Sequence, residues 1–299
     1  MQLGGDVVIV TGAGAGMGRE HALLLGSLGA RVVVNDVGVG LQGQDLGERP
    51  ADEVVRLIVE AGGEAVADEN SVATEEGADR LVRTALDTFG RVDAVVNNAG
   101  ILRDRTFGKM SMDELRAVLE VHLVGSFLVT QKAWPHFRSQ GYGRVVMTTS
   151  GAGLYGNFGQ ANYAAAKMGM VGLARTLAVE GARDGIKANS LSPAARTRMS
   201  NDTLEEEFAQ ALDPALVSPV VALMVSRECP WTGQTIAAGG GRVALVNISE
   251  TPGYVNTRLT VDDLIANLDK VHDEAGSFTP DGVPAQADFL LAQIKAGAA

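Results

Sequence analysis

Cysteine is almost missing from this chain. Cys229 is the single one in 299 residues, which excludes an internal disulfide and sets a reducing, cytoplasmic compartment as the expectation. No apolar run reaches the roughly eighteen residues needed to cross a bilayer, and no basic stretch leads into an apolar core at residues 1–6, so a secretory leader is not expected. Bases are scarce as well: 25 Lys and Arg face 36 Asp and Glu, and the net charge of −11 repels phosphate backbones. Neither nucleic acid nor an anionic membrane is an expected partner. Prolines number only 9 against 37 glycines, in a chain that is 46% hydrophobic and 20% charged. That balance is too apolar for disorder and too glycine-rich for a helical bundle, and it suits an open α/β sheet with many tight turns. The length allows one large α/β domain or two small ones. Acid is concentrated at one end, since residues 245–299 hold eight acids and three bases, nearly half the net charge in under a fifth of the chain. The chain is therefore divided into a main domain over 1–244 and an acidic C-terminal extension over 245–299.

Strand-like segments fall at residues 7–10, 31–36, 64–67, 92–96, 144–149, 186–191 and 234–238. Between them lie helical patterns at 19–28, at 50–61 with Pro50 in the first turn, at 74–89, from Ser111 to about 137, and at 161–182. Ser111 and Glu114 have the spacing of a capping box. Strands separated by helices throughout imply right-handed βαβ units and a mainly parallel, doubly wound sheet. Residues 200–212 read as a short acidic amphipathic helix, either a lid over the substrate or a peripheral helix. The extension reads as a strand-like run at 243–248 and helices at 261–274 and 286–296.

Thr11-Gly12-Ala13-Gly14-Ala15-Gly16-Met17-Gly18 stands between the first strand and the first helix. There, backbone N–H groups and the positive helix end can hold a pyrophosphate. The spacing is T-G-x-x-x-G-x-G rather than G-x-G-x-x-G, because Met17 and Arg19 occupy positions where the latter needs glycine. A tight turn alone would also use glycine. Asp36 adds the second half of the signal: a carboxylate at the end of the second strand accepts hydrogen bonds from ribose hydroxyls and repels a 2′-phosphate. With no base at Ala15 or just after Asp36, NAD is the expected cofactor rather than NADP. No metal is expected.

Tyr163 and Lys167 are four residues apart on a helix and share a face, and Ser150 ends the preceding strand. Hydride transfer from an alcohol carbon to a nicotinamide needs a partner that exchanges the hydroxyl proton. Tyrosine serves if a nearby ammonium draws its pKa down. Lys167 is placed to do this and to reach a ribose hydroxyl, while Ser150 would stabilise charge on the substrate oxygen.

Thr11-Gly12, Gly16, Gly18, Asn97-Asn98-Ala99-Gly100, Ser150 and Tyr163-Ala164-Ala165-Ala166-Lys167 together resemble the short-chain dehydrogenase/reductase family, over about residues 4–244. The resemblance implies a Rossmann-type doubly wound parallel sheet, a single domain with the C-terminal extension appended. It implies that Ser150, Tyr163 and Lys167 are catalytic, Tyr163 as general acid/base. It also implies that Asn98, Ala99 and Gly100 line the cofactor cleft with Gly12, Gly14, Gly16, Met17 and Gly18. Asn70 and Ser71 would meet the adenine, and Thr197 the nicotinamide amide. The chain departs from the family at His122, where an asparagine is usual, and at Pro193-Ala194, where Pro-Gly is usual. His122 could order a proton-relay water to Lys167, or be satisfied by local backbone.

Val33-Val34-Asn35-Asp36-Val37-Gly38, Asn98 to Arg105, His122 to Phe127 and Tyr155 to Tyr163 are similar to one branch, the (3R)-hydroxyacyl-CoA dehydrogenase unit of peroxisomal multifunctional enzyme type 2. That implies NAD-dependent oxidation of a 3-hydroxyacyl-CoA to the 3-oxoacyl-CoA by a stand-alone dehydrogenase that forms dimers or tetramers. Arg103, Arg105 and Lys109, or Arg196 and Arg198, would bind the CoA phosphates, unless they are solvated surface charge. The alternatives are a 3-oxoacyl-ACP or 3-oxoacyl-CoA reductase, a hydroxysteroid dehydrogenase, or a catalytically silent NAD sensor.

Overall fold

The computed structural model describes residues 1–38, 49–196 and 211–297. They form two compact units, Met1–Leu245 and Val246–Ala299. The first is built on strands β1 (Val7–Thr11), β2 (Arg31–Asn35), β3 (Glu64–Asp68), β4 (Ala94–Asn97), β5 (Gly143–Thr148), β6 (Ile186–Pro193) and β7 (Thr235–Gly239). These pair parallel in the order β3-β2-β1-β4-β5-β6-β7, and β8 (Arg242–Val246) lies beside β7 at the edge. Gly240 and Gly241, both at positive φ, turn the chain between β7 and β8.

β1 is buried at all five residues, as expected of a strand covered on both faces. Its side chains alternate between two cores. Val8 and Val10 pack with Ala22 and Leu25 of α1 (Gly16–Ser27) and Val54 and Ile58 of α2 (Pro50–Glu60). Val7 and Ile9 pack on the other face with Leu81 and Ala85 of α3 (Glu75–Phe89) and, further along, Val129 and Phe137 of α5 (Gly125–Gln140) and Met170 of α7 (Ala161–Gly181). The chain runs from β1 outward to β3, then returns to add β4 on the opposite side of β1. That reversal opens a crevice beyond the carboxyl ends of β1 and β4, the place where open α/β sheets bind ligands.

Local signals set several boundaries. Thr74 caps α3 through Gly77 N, and Ser111 and Glu114 close the expected capping box on α4 (Met112–Leu119). The long central helix is not uniform: between α4 and α5 it widens into a π-turn, Glu120–Val124, centred on His122. The first helix begins three residues before the expected 19, because Gly16 and Met17 already wind into it. Two helices escaped the sequence reading, α6 (Gly151–Tyr155) and Ser218–Val225; the first is only five residues long.

In the second unit the helix expected over 261–274 is broken into Val261–Ala266 and Leu268–His272. Asn267 Nδ2 donates to the Asp263 carbonyl at 2.8 Å and takes up a helix acceptor. The last helix, Val283–Gly297, starts earlier than the expected 286. Phe278 and Phe289 stack with centroids 4.9 Å apart. Among the described residues no helix is long and apolar enough to cross a membrane, and no group of His, Cys, Asp and Glu could hold a metal. Thr197, Arg198 and all but the last two residues of the 200–212 segment lie outside the described residues.

Candidate active site

A cavity of about 680 Å³ occupies the crevice above β1 and β4. Gly12, Gly16, Met17 and Gly18 form its floor at one end. The first turn of α1 has no side-chain cap and no acidic residue, so its N–H groups are left for an anion. Gly18 is required by contact rather than conformation: a Cβ there would stand 2.2 Å from the Gly12 carbonyl oxygen. Gly14 does not line the cavity. Its N–H donates to Asp36 Oδ2 at 2.9 Å, and a Cβ on it would meet that same oxygen at 2.8 Å. Gly38 N donates to Asp36 Oδ1, also at 2.9 Å, so the carboxylate is aimed by two backbone donors and keeps lone pairs for hydroxyl groups. Arg49, a base after the second strand, pairs with Glu69 and Asp52.

Ser71 lines the cavity, but Asn70 does not. The Asn70 amide donates to Asp68 Oδ2 at 2.8 Å, where Asp68 also receives Asn35 Nδ2 at 2.8 Å and Thr84 Oγ1 at 2.9 Å. Asp68 is thus the hub that shapes the loop bearing Ser71, and Asn70 acts through it. Asn98, Ala99 and Gly100 line the cavity as expected. Asn98 Nδ2 donates to the Thr11 and Gly12 carbonyls at 3.0 and 3.1 Å, and Thr11 Oγ1 accepts from Asn98 N and Ala99 N. These bonds lock the glycine loop to the end of β4.

At the other end Ser150, Tyr163 and Lys167 come together. Ser150 caps α6, with its Oγ accepting from Ala152 N at 3.2 Å, and its side chain lies beside Tyr163, where it favours the phenolate. Lys167 is buried. Its Nζ donates to the Thr148 carbonyl at 2.6 Å and lies 5.5 Å from the Tyr163 ring centroid. Burial pulls its pKa down to about 7. Tyr163 differs from the sequence expectation: its pKa is raised, chiefly by burial, with Ser150 opposing and Asp104 adding to the rise. The same removal from water that suppresses the lysine charge also disfavours the phenolate, so the ammonium does not dominate here.

His122 enters from the π-turn, which the sequence did not show. Its ring is buried, stands edge-on to Tyr163 at 5.2 Å, and presses so closely on Gly100 that a Cβ there would fall 2.2 Å from Cε1. Nε2 lies 3.0 Å from Ile101 N and 2.8 Å from Ile101 O. One imidazole nitrogen serves only one of these in a given tautomer, whereas an asparagine amide could serve both. Local backbone therefore satisfies Nε2, while Nδ1 has no partner. Burial and the Lys167 charge hold the ring well below its ordinary pKa, so it stays neutral. Thr148 Oγ1, another buried atom without a partner, belongs to a residue that also lines the cavity. Orphaned polar atoms here, the uncapped helix end and the aimed Asp36 carboxylate fit a dinucleotide.

Of the bases considered for a CoA phosphate, Arg103, Arg105, Lys109 and Arg196 do not line the cavity, and Arg198 lies outside the described residues. Arg105 pairs with Glu114 at 3.0 Å, Arg103 Nη1 donates to the Leu102 carbonyl, and Arg196 N donates to Leu212 O at 2.6 Å. Lys109 ends an exposed 3₁₀ turn, Phe107–Lys109. Sequence reasoning passed over Asp104 and Gln160, which line the substrate side.

The short chain dehydrogenase family pattern matches residues 6–207. A short-chain type dehydrogenase/reductase of Mycobacterium tuberculosis is 51% identical over 91% of this chain and 95% of its own length. Mouse peroxisomal multifunctional enzyme type 2 is 44% identical over 94% of this chain, which spans only 38% of that enzyme. The solved full-length Drosophila melanogaster enzyme of the same name superposes with a TM-score of 0.83 at 37% identity, covering 99% of this chain and 50% of that one. A hydroxyacyl-CoA dehydrogenase of Mycobacterium tuberculosis is 40% identical over 87% of this chain and 84% of its own. A 7α-hydroxysteroid dehydrogenase solved with NADH and a 7-oxo bile acid has a TM-score of 0.72 at 28% identity, over 80% and 95% of the two chains. The sheet order, the glycine loop tied to Asn98 and the Ser150, Tyr163 and Lys167 cluster agree with these likenesses, and the chain belongs to the short-chain dehydrogenase/reductase family of oxidoreductases.

Proposed function

We propose that the chain is an NAD-dependent dehydrogenase that oxidises a 3-hydroxyacyl-CoA to the 3-oxoacyl-CoA. The observation that carries this reading is Ser150, Tyr163 and buried Lys167 together in one cavity with an Asp36 carboxylate aimed by Gly14 and Gly38. The acyl-CoA part is supported by the relatives at 40% and 44% identity whose names carry hydroxyacyl-CoA and multifunctional peroxisomal chemistry. NAD is favoured because Asp36 would face a 2′-phosphate with a negative charge and the nearby Arg49 is already paired.

A bound nicotinamide supplies the hydride acceptor. Ser150 then donates to the substrate oxygen and orients the alcohol, and Tyr163, once its own proton has passed to Lys167, takes the hydroxyl proton as the carbonyl forms. Proton exchange between Tyr163 and Lys167 conserves the charge of the pair, so it avoids burying a new net charge. Lys167 also holds the ribose. His122 ties the Ile101 backbone to the central helix and keeps Nδ1 turned inward as a proton-relay contact. The main domain over 1–244 carries the whole reaction, and 245–299 is an acidic extension. Exposed Val124 and Phe127 on the central helix suit packing against a second copy in a dimer or tetramer. A single, buried cysteine suits the cytoplasm.

The test is a screen of purified enzyme with NAD⁺ and NADP⁺ against 3-hydroxyacyl-CoA esters and free hydroxysteroids, with Tyr163→Phe alongside. Turnover should appear with NAD⁺ and the CoA esters. The variant should lose about 10²–10⁴-fold in kcat while still binding NADH. Activity on steroid alcohols alone would refute the acyl-CoA assignment, and a Tyr163→Phe protein with full turnover would refute the mechanism.

A further inference from the structure

Among the described residues two carboxylates line the cavity, at opposite ends. Asp36 sits at the end that receives the ribose, and Asp104 lies on the substrate side with Ser150 and Tyr163. Asp104 is not a drifting surface acid. Gln160 Nε2 donates to its Oδ2 at 2.8 Å, and Asn157 Nδ2 in turn holds Gln160 Oε1 at 2.9 Å. The backbone on either side is pinned as well: Arg105 N donates to Gly159 O at 2.8 Å, and Asn162 Nδ2 donates to Arg103 O at 2.9 Å. Two loops are thus zipped together directly before Tyr163, and Asp104 is presented into the mouth they form. Its donors are neutral amides, and among the described residues no cation pairs with it. Lys167, the one cationic side chain among the described residues on the cavity wall, is turned to the Thr148 carbonyl.

We infer that Asp104 selects substrates whose reacting end is electrically neutral and turns away hydroxy acids that carry a free carboxylate two carbons from the alcohol carbon. The inference rests on the dehydrogenase reading and deepens it. The alcohol oxygen has to sit against Ser150 and Tyr163, so a carboxylate two carbons away would share the cavity mouth with the exposed Asp104. A thioester or ester at the same position carries no charge there. The Asp104 charge also adds to the rise of the Tyr163 pKa, as the smallest of its causes. Repulsion of this kind discriminates by penalising the wrong ligand rather than by adding a contact to the right one.

Asp104→Asn tests this, because an asparagine oxygen still accepts from Gln160 and only the charge is removed. We compare 3-hydroxybutyrate with its neutral N-acetylcysteamine thioester, using NAD⁺ and both proteins. Any effect of the substitution on Tyr163 acts on both substrates alike and cancels in the ratio of their kcat/KM values. That acid-to-thioester ratio should rise about five- to tenfold in Asp104→Asn, and the parent's ratio should rise with ionic strength. A ratio that stays within twofold of the parent overturns the inference. If the parent oxidises steroid alcohols and no thioester, the acyl-CoA reading fails instead. Asp104 is then read from binding of 3-oxobutyrate and its thioester to the NADH complex by nicotinamide fluorescence: the same rise in ratio supports the inference, and an unchanged ratio overturns it.

Discussion

His21 makes the helix that carries the cofactor loop sensitive to acid. Its ring is fully buried in α1, with Nδ1 at 2.8 Å from Ser218 Oγ and Nε2 without a partner. If Nδ1–H donates to Ser218, Nε2 is a bare lone pair in apolar surroundings, and a second proton would create a buried cation with an unpartnered N–H. Burial accordingly lowers its pKa from 6.5 to about 3. A histidine held below its unfolded value contributes stability that is complete above about pH 6.5 and is lost as pH falls toward 3, because the unfolded chain takes the proton first. At pH 5 the loss amounts to about 1.5 pH units, or about 2 kcal/mol, and it grows to about 4 kcal/mol near pH 3. His21→Gln keeps an amide for Ser218 and removes the titration. Urea unfolding of both proteins at pH 7 and pH 5, followed by tryptophan fluorescence, should show the parent losing about 2 kcal/mol more than the variant. His122 is present in both and cancels. Parallel losses within about 0.5 kcal/mol would mean that His21 is protonated in the native state and that its burial has no such consequence.

Two further substitutions probe the cavity. Gly100→Ala places a methyl 2.2 Å from His122 Cε1, so the ring must leave its place beside Tyr163. Stability should fall by about 1–3 kcal/mol and kcat should drop, while the added change His122→Ala recovers the stability but not the rate. Equal denaturation midpoints for the parent and Gly100→Ala would refute the contact. Asp36→Ala removes a charged acceptor that the ribose would use, worth about 1.5–3 kcal/mol, or 10- to 100-fold in kcat/KM for NAD⁺. The NADP⁺ value should hold or improve, and an unchanged NAD⁺ to NADP⁺ preference would refute the role of Asp36.

Much of the site was legible because its residues are bound by local rules. Thr11 to Gly18 falls between a strand and a helix, Tyr163 and Lys167 are one helical turn apart, and Ser111 with Glu114 announces a helix start; each is a short-range pattern that secondary structure alone makes meaningful. The parallel sheet followed in the same way from alternating strands and helices. Less legible was anything set by neighbours distant in the chain. Nothing local distinguishes Asn70, which turned inward to Asp68, from Ser71, which faces the cavity. The π-turn at Glu120–Val124 has no composition of its own, yet it decides where His122 points. Asp104 reads as one more surface acid until Gln160, 56 residues later, is seen to hold it.

The amino-acid sequence by itself therefore determined the layers, since periodicity encodes them directly, and its family resemblance singled out the glycine loop and the residues proposed for proton transfer. Tertiary structure alone decided the electrical state of those residues. A lysine four residues from a tyrosine predicts a lowered phenol on paper, but burial acts on both groups. In this cavity it brings Lys167 down to about 7 and lifts Tyr163. Desolvation depends on how the whole chain packs around a group, and no spacing of residues records it.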